Sequence, residues 1–321
     1  MGLQLMASQY SRALVTGGAG FIGSHIADRL IENNFEVRII DDLSSGQMEH
    51  LRTFKNKKSV LFMKGDIRDP EIVKTAVKDA DVVFHEAAIV GPAQSIENPL
   101  LTNDVNVNGT LRLLEASVKY GVKRFILASS AAIYGEQRVL PIKETAIPQP
   151  SSPYAISKLS AELYSISYYR AYGLETVILR YFNVYGERQA NGPYASVITA
   201  FLNNFMCSKQ PVIYGDGEQA RDFVYVKDVV DANMLAMEKD CAGAIFNTAS
   251  GSSVKINDLF KILQKTTGKN EIQPEYSAPK KCEIRESCGD ISKAKSVLGF
   301  KPMVSIEEGL KKLAESWKHS K

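Results

Sequence analysis

Two groups of residues in this chain are spaced for chemistry. Tyr154 and Lys158 stand four apart in Tyr154-Ala155-Ile156-Ser157-Lys158, a spacing that puts both on one face of a helix. A free phenol has a pKa of about 10, too high for a base at neutral pH. An ammonium one helical turn away, joined by the positive charge of an oxidised nicotinamide, favours the phenolate and predicts a pKa ~2–4 lower. Such a base takes the proton of an alcohol as hydride leaves the same carbon. The alternative is a surface Tyr–Lys pair on a tyrosine-rich helix that also carries Tyr164, Tyr168, Tyr169 and Tyr172.

The second group is Gly17-Gly18-Ala19-Gly20-Phe21-Ile22-Gly23. Gly17, Gly20 and Gly23 suit a tight turn, close approach of backbone to a pyrophosphate, and close helix–strand packing. Phe21 and Ile22 belong to the same grip, at the head of a helix whose N-terminus offers free N–H groups to phosphate. Asp41 closes the next strand, placed to accept both ribose hydroxyls of an adenosine. A carboxylate there repels a 2′-phosphate, so NAD is expected rather than NADP. The alternative is a turn that binds nothing.

These residues need elements to hold them. Short β-branched runs alternate with amphipathic stretches: strands at Arg12–Thr16, Glu36–Asp41, Val60–Met63, Val82–His85, Phe125–Ser129 and Thr176–Arg180, a helix from Gly20 to Asn33, and a long helix from about Tyr154 to Tyr172. Near-continuous apolar strands between helices predict α/β, a doubly wound parallel Rossmann sheet covered on both faces. After Asn183 the rhythm breaks. Residues 186–193 read as a loop and about 195–206 as a helix. Ala244–Asn247 reads as a strand returning to the main sheet. Short helices and a Pro/Lys-rich connection at 274–281 follow. The expected division is a cofactor domain of residues 1–182 plus 222–248, and a smaller interleaved C-terminal substrate-binding domain of 183–221 plus 249–321.

Bulk properties agree with a soluble enzyme. The 321 residues exceed one ordinary core. The formal charge of +3 is too small for a nucleic-acid binder. Cys207, Cys241, Cys282 and Cys288 show no metal-ligand spacing and read as free intracellular thiols, so no metal is expected. No apolar run nears the ~20 residues of a membrane span. The first eleven residues lack a secretory core. Met6 stands where N-myristoylation needs Ser or Thr. A cytoplasmic protein is expected.

The GxxGxxG spacing resembles the extended short-chain dehydrogenase/reductase superfamily, and the likeness runs from Arg12 to about Leu310. It implies that Asp66 and the Ile67 backbone hold adenine, within Gly65-Asp66-Ile67-Arg68-Asp69. It implies that Ala87 and Ala88 of His85-Glu86-Ala87-Ala88 pass under the cofactor, that Asn106 is a structural asparagine nearby, and that Lys158 holds the nicotinamide ribose. Ser130, four residues before the Tyr of Tyr134-Gly135, is the implied catalytic hydroxyl, with Ser129 as the fallback. Related dehydratases and decarboxylases carry acids just after that serine. This chain has Ala131 and Ala132, which can neither protonate a leaving hydroxyl nor abstract a C5 proton.

On the substrate side, Arg180-Tyr181-Phe182-Asn183-Val184-Tyr185-Gly186 resembles the family's RxxNxYG segment, and Gly215-Asp216-Gly217-Glu218-Gln219-Ala220-Arg221-Asp222-Phe223 its GDG…RDF segment. The resemblance places Asn183, Arg221 and Arg285 (in Glu283-Ile284-Arg285) on a diphosphate, Tyr214 beside uracil, and Val197 with the other substrate residues. Paired arginines suit a diphosphate through forked hydrogen bonds. Aligned on Asp290-Ile291-Ser292-Lys293-Ala294, Ser287 falls where the family varies between tyrosine and small residues beside the sugar C2. A small residue leaves room for an N-acetyl group. Gly91-Pro92 and Ser95 line the same cavity or form a plain loop. The implied activity is 4-epimerisation of a UDP-sugar, UDP-GlcNAc/UDP-GalNAc with UDP-glucose/UDP-galactose as the second pair, by a homodimer built on the helices at about 100–120 and 154–172. The rival readings are a UDP-glucuronate 4-epimerase or another UDP-sugar-modifying enzyme of the same superfamily, and a non-catalytic nucleotide-binding module.

Overall fold

The computed structural model describes residues 10–54, 57–190, 195–279 and 284–319. Expectations resting on residues 1–9, 191–193, 280–281, Cys282 and Glu283 lie outside them.

The first half alternates strand and helix: β1 (Arg12–Thr16), α1 (Phe21–Glu32), β2 (Glu36–Asp41), β3 (Val60–Lys64), α2 (Pro70–Val77), β4 (Val82–His85), α3 (Pro92–Glu97), α4 (Pro99–Asn103), a π-turn (Asp104–Gly109), α5 (Thr110–Lys119), β5 (Arg124–Ser130), α6 (Pro153–Tyr172) and β6 (Glu175–Tyr181). With β10 (Ile245–Thr248) they form a seven-stranded parallel sheet, β10-β6-β5-β4-β1-β2-β3. The strand order reverses between β1 and β4, the place where open α/β sheets bind ligands at their carboxyl ends.

Alternation along each strand splits the core in two. Val15, Ile39, Phe84 and Ile126 pack with Ile26 and Leu30 of α1 on one face. Leu14, Ile40, Val83, Phe125 and Leu127 pack with α2, Leu113, Leu114 and Ala161 on the other. The helices carry local start and stop signals. Asp69 caps α2 by accepting from Glu71 and Ile72 N–H, ahead of Pro70. Ser152 caps α6 ahead of Pro153, and Gly173 ends it in the left-handed region at φ 72°.

The second half holds β7 (Asn183–Tyr185), α7 (Val197–Met206), β8 (Val212–Tyr214), β9 (Ala220–Tyr225), α8 (Val226–Glu238), β11 (Ser253–Lys255), α9 (Ile256–Thr267), β12 (Glu275–Ser277), β13 (Glu286–Ser287) and α10 (Ile306–His319). A small sheet centres on β9, which pairs with β11, β13 and β7, while β12 pairs with β8. Asp222–Tyr225, assigned to the cofactor domain, pairs within the small sheet, so the chain leaves that sheet at Val226. Ala294, Leu298 and Phe300, assigned to the substrate domain, pack in the core of the large sheet, because a short π-turn at Ala294–Leu298 lays them beside α8. The helices after Ser250 are also longer than expected, with 12 residues in α9 and 14 in α10.

Candidate active site

The glycine loop is a cradle in which side chains do not fit. Gly17 has φ +65°, and a Cβ there would lie 2.8 Å from the Ala87 nitrogen. A Cβ on Gly20 would lie 3.0 Å from the Gly17 oxygen, and one on Gly23 would run into that same carbonyl. Helix α1 begins at Phe21 with no side-chain cap, so its first N–H groups face the loop. Asp41 is buried. Its two carboxylate oxygens accept from Ala19 N at 2.9 Å and Leu43 N at 2.8 Å, and burial raises its pKa. A bare backbone cradle at a helix start, with a carboxylate beside it, fits a dinucleotide.

The adenine-side residues are ordered by their own contacts. Arg68 forks onto Asp66 at 2.6–3.1 Å and reaches Asp104 at 3.0 Å, which lowers the pKa of Asp66. The Ile67 side chain is buried against Gly109, leaving its backbone for recognition. Ala87 and Ala88 are half-buried just after β4.

Tyr154, Lys158 and Ser130 come together where β5 ends against the first turns of α6. Ser130 is near enough to the Tyr154 hydroxyl to favour its phenolate, and its Oγ accepts from Ala132 N at 3.2 Å. Lys158 Nζ donates to the Ala128 carbonyl at 2.9 Å. The lowering of the Tyr154 pKa expected from Lys158 together with an oxidised nicotinamide is not made by the protein alone. Burial is the largest influence and raises that pKa. The Glu86 carboxylate adds to the rise, and only Ser130 opposes it. Burial in turn lowers the Lys158 pKa, with Glu86 and Glu162 opposing. The protein alone therefore holds a neutral phenol.

Ser129, the fallback hydroxyl, does something else. It is buried and donates to Glu162 Oε1 at 2.5 Å. Glu162 is one turn past Lys158 and takes a two-pronged ion pair from Arg180, at 2.9 and 2.8 Å. Arg180 also donates to the Tyr134 hydroxyl at 2.9 Å, which donates to Asn247 at 2.6 Å. This buried network ties α6, β6 and β10 together behind the reactive residues.

Asn106 lies in the π-turn. Its Oδ1 accepts from Ile89 N at 2.8 Å, while its Nδ2 donates to Ile89 O and to Ser157 Oγ. Ser157 donates to the Tyr154 carbonyl at 2.8 Å. Below it, His85 is buried between Thr16 and Thr110, 2.8 Å from each hydroxyl. Thr110 donates to Asn106 O at 2.6 Å, so its oxygen receives the His85 Nε2–H. Burial holds the His85 pKa down at about 3. A neutral imidazole thus links the strand under the glycine loop to the turn that carries Asn106.

The substrate-side residues gather on the small sheet. Ser287 pairs in register with Arg221, so β13 lies directly beside β9. Ser287 is buried, and Arg221 is half-buried with Nη1 donating to the Ala220 carbonyl at 2.9 Å. The arrangement is held from below by Asp222, which accepts from Ser250 N, Gly251 N and Gly289 N at 2.7–3.1 Å. Asn183 Nδ2 donates to the Asp222 carbonyl at 3.1 Å. Arg285 is exposed and forks onto Asp216 at 2.8 and 3.1 Å. Tyr214 is exposed at the end of β8, and half-buried Val197 opens α7. Ser95 is buried and donates to the Pro92 carbonyl at 2.7 Å.

Four residues of this region escaped the sequence reading: His85, Glu86, Glu162 and Asp222. Glu86 had one visible signal, an acid interrupting a run of apolar and small residues. Glu162 had another, an acid one turn beyond the Tyr–Lys pair.

The family profile described as GDP-mannose 4,6 dehydratase matches residues 14–313. UDP-glucose 4-epimerase of Thermotoga maritima, solved with UDP-glucose, is 45% identical, with a TM-score of 0.92 over 96% of this chain and 99% of that one. UDP-N-acetylglucosamine 4-epimerase of Methanobrevibacter ruminantium, solved with UDP-N-acetylmuramic acid, is 41% identical, with a TM-score of 0.93 over 98% of this chain and 100% of that one. UDP-glucose 4-epimerase of Thermus thermophilus, solved with NAD, is 35% identical, with a TM-score of 0.88 over 97% of this chain and 100% of that one.

Proposed function

This chain belongs to the family described as GDP-mannose 4,6 dehydratase, within the extended short-chain dehydrogenases/reductases, and from that premise we propose an NAD-dependent 4-epimerase of UDP-hexoses that accepts the UDP-GlcNAc/UDP-GalNAc pair. The carrying observation is the pairing of Tyr154 with Ser130 where the next two residues are Ala131 and Ala132. The site can move a proton to and from a hydroxyl. Those two positions supply no acid or base for dehydration.

Gly17, Gly20, Phe21, Ile22, Gly23, Asp41, Asp66, Ile67, Ala87, Ala88, Asn106 and Lys158 would hold NAD, which would supply a hydride acceptor and a positive charge that lowers the Tyr154 pKa as the protein alone does not. Tyr154 takes the proton of the sugar O4, with Ser130 bonded to the same oxygen, and later gives it back on the other face. Asn183, Arg221 and Arg285 hold the diphosphate, and Tyr214 and Val197 the uridine side. Binding energy remote from C4 retains the 4-keto sugar while it turns. Ser287, small and beside Arg221, leaves room for an N-acetyl group.

We further propose that the substrate lies between the two sheets, as a cleft between a cofactor body and a substrate body. We propose too that the protein pairs as a homodimer through the helices at about 100–120 and 154–172, where Leu100, Leu101, Ile156, Leu163 and Tyr164 leave apolar surface exposed.

Proton NMR of the protein with UDP-GlcNAc and no added reductant tests the reading. UDP-GalNAc is the expected product. Conversion of UDP-glucose alone would keep the mechanism and overturn the role of Ser287; inertness toward both would overturn the 4-epimerase reading for these sugars.

A further inference from the structure

Glu86 has no part in the mechanism above, yet it adjoins the cofactor cradle: a Cβ on Gly17 would lie 3.1 Å from its carbonyl carbon. It follows His85 at the carboxyl end of β4 and is half-buried. Its charge acts on Tyr154 and on Lys158. Its Oε1 accepts from the Tyr181 hydroxyl at 2.8 Å, and that hydroxyl accepts from Asn233 Nδ2 at 2.7 Å.

The direction of this relay is settled by one backbone atom. The same Asn233 nitrogen also reaches the Val229 carbonyl at 2.9 Å. A carbonyl only accepts, so the amide group facing Val229 and Tyr181 is the NH₂. Tyr181 therefore receives a hydrogen bond from Asn233 and spends its own proton on Glu86. The Oδ1 of Asn233 is buried with no hydrogen-bond partner among the described residues. The relay thus delivers a donor to Glu86 at the cost of an unsatisfied acceptor, an arrangement built for a carboxylate.

Hydride and proton leave the same carbon of an alcohol, so the nicotinamide ring and the Tyr154 phenol both adjoin that carbon. A charge that acts on Tyr154 acts on the ring as well. We propose that Glu86 is an electrostatic residue of the cofactor pocket, a carboxylate that holds the bound nicotinamide in its oxidised, positively charged form. The charged and titratable groups facing it are Tyr181 from β6, Tyr154 and Lys158 from α6, with the amide of Asn233 behind Tyr181 from α8; Glu162 bears on Lys158 in turn, and Lys158 on His85. Burial pushes the Glu86 pKa up, and the Tyr181 hydrogen bond and Lys158 pull it back. Its charge is therefore poised to respond to the ring: a neutral, reduced ring favours protonation and an oxidised one favours the carboxylate.

The test is a competition for the cofactor site. Purified protein is equilibrated with a mixture of NAD and NADH, and the bound forms are extracted and counted. Glu86→Gln should lower the bound NAD:NADH ratio by about tenfold, the effect of one pKa step of interaction. The wild-type ratio should climb with pH across about pH 5 to 9 and stay flat in the variant. Tyr181→Phe, which keeps the carboxylate but removes its donor, should move the climb to higher pH. A ratio and pH profile unchanged in Glu86→Gln would overturn the proposal, as would an unmoved profile in Tyr181→Phe if Glu86→Gln does not fold. No sugar is present, so the outcome is independent of the 4-epimerase reading; it rests on the cofactor being NAD.

Discussion

Ser129 donates to Glu162 at 2.5 Å, while Ser130, the next residue, acts on the hydroxyl of Tyr154, eight positions earlier on the same helix as Glu162. One strand end thus sets one hydroxyl on the scaffold and the other on the chemistry. Ser130→Ala should cut kcat by about 10²-fold, the usual effect of losing a positioned proton-transfer partner, with a stability loss no larger than the roughly 0.5–2 kcal/mol of its cap bond to Ala132 N. Ser129→Ala should do the reverse, costing about 1–3 kcal/mol in urea unfolding through the buried Glu162 lone pair it leaves unsatisfied. If Ser129→Ala proved the inactive variant, the two roles would have to be exchanged.

Tyr154→Phe should abolish turnover and leave NAD bound at wild-type stoichiometry, because the hydroxyl touches neither the glycine loop nor Asp41. Extraction of the cofactor from the purified variant checks the second half. Residual turnover above about a hundredth of wild type would remove Tyr154 as the base.

Asp222 gathers three backbone N–H groups from two distant segments, at Ser250–Gly251 and at Gly289. Asp222→Ala leaves all three without that acceptor, the Gly289 N–H in a buried position and the Ser250 N–H in a half-buried one. A loss of about 3 kcal/mol is expected, with a rise in substrate KM because Ser287 lies two residues from Gly289. Chemical denaturation and steady-state kinetics measure the two effects. A variant that lost stability with an unchanged KM would separate Asp222 from the substrate pocket.

His85 gives the fold an acid limit. Its pKa is depressed to about 3 in the folded chain against 6.5 unfolded, and His25 is depressed to about 4 by burial. The unfolded chain takes up protons that the folded one cannot. Stability present above pH 6.5 is therefore lost as pH falls toward the folded values. Thermal melts across that range should show a slope that shrinks in His85→Gln. An identical slope would mean that the imidazole is protonated in the fold.

Arg285 reaches Asp216 in an exposed two-pronged pair. A diphosphate bound by Arg285 must take the guanidinium from that carboxylate, and exposed pairs yield easily. Asp216→Asn should tighten UDP binding by about two- to fivefold at low salt, an advantage that fades as salt rises. Titration calorimetry with UDP at two ionic strengths reads both. Weaker binding in the variant would make Asp216 a holder of Arg285 in its bound position.

The large sheet was legible because each strand is a continuous apolar run between helices, and such runs are local. The glycine loop and the Tyr154–Lys158 pair were legible for the same reason, since their function is encoded in spacing within one element. The small sheet was not. β13 has two residues, and its pairing with β9 joins Ser287 to Arg221 across 66 positions, with no periodicity to announce it. The rise in the Tyr154 pKa was equally hidden, because it comes from burial under several elements and from Glu86, which is remote in sequence. The placement of Phe300 in the large core shows the same limit: composition marks a residue as buried without saying in which core.

The π-turn at Asp104–Gly109 runs without a break from α4 into α5. A turn of this kind holds one residue more than an α-turn, so it acts as a phase slip in the helix. Leu100 and Leu114 are fourteen positions apart, four regular turns, yet Leu100 is 86% exposed and Leu114 fully buried. Both halves lie along α6, but the first also meets α3, and the second α2 and the sheet. Asn106 sits at the slip itself. Excising one residue there would bring both halves into one phase, and the turn that clasps Ile89 and Ser157 would rotate away from them.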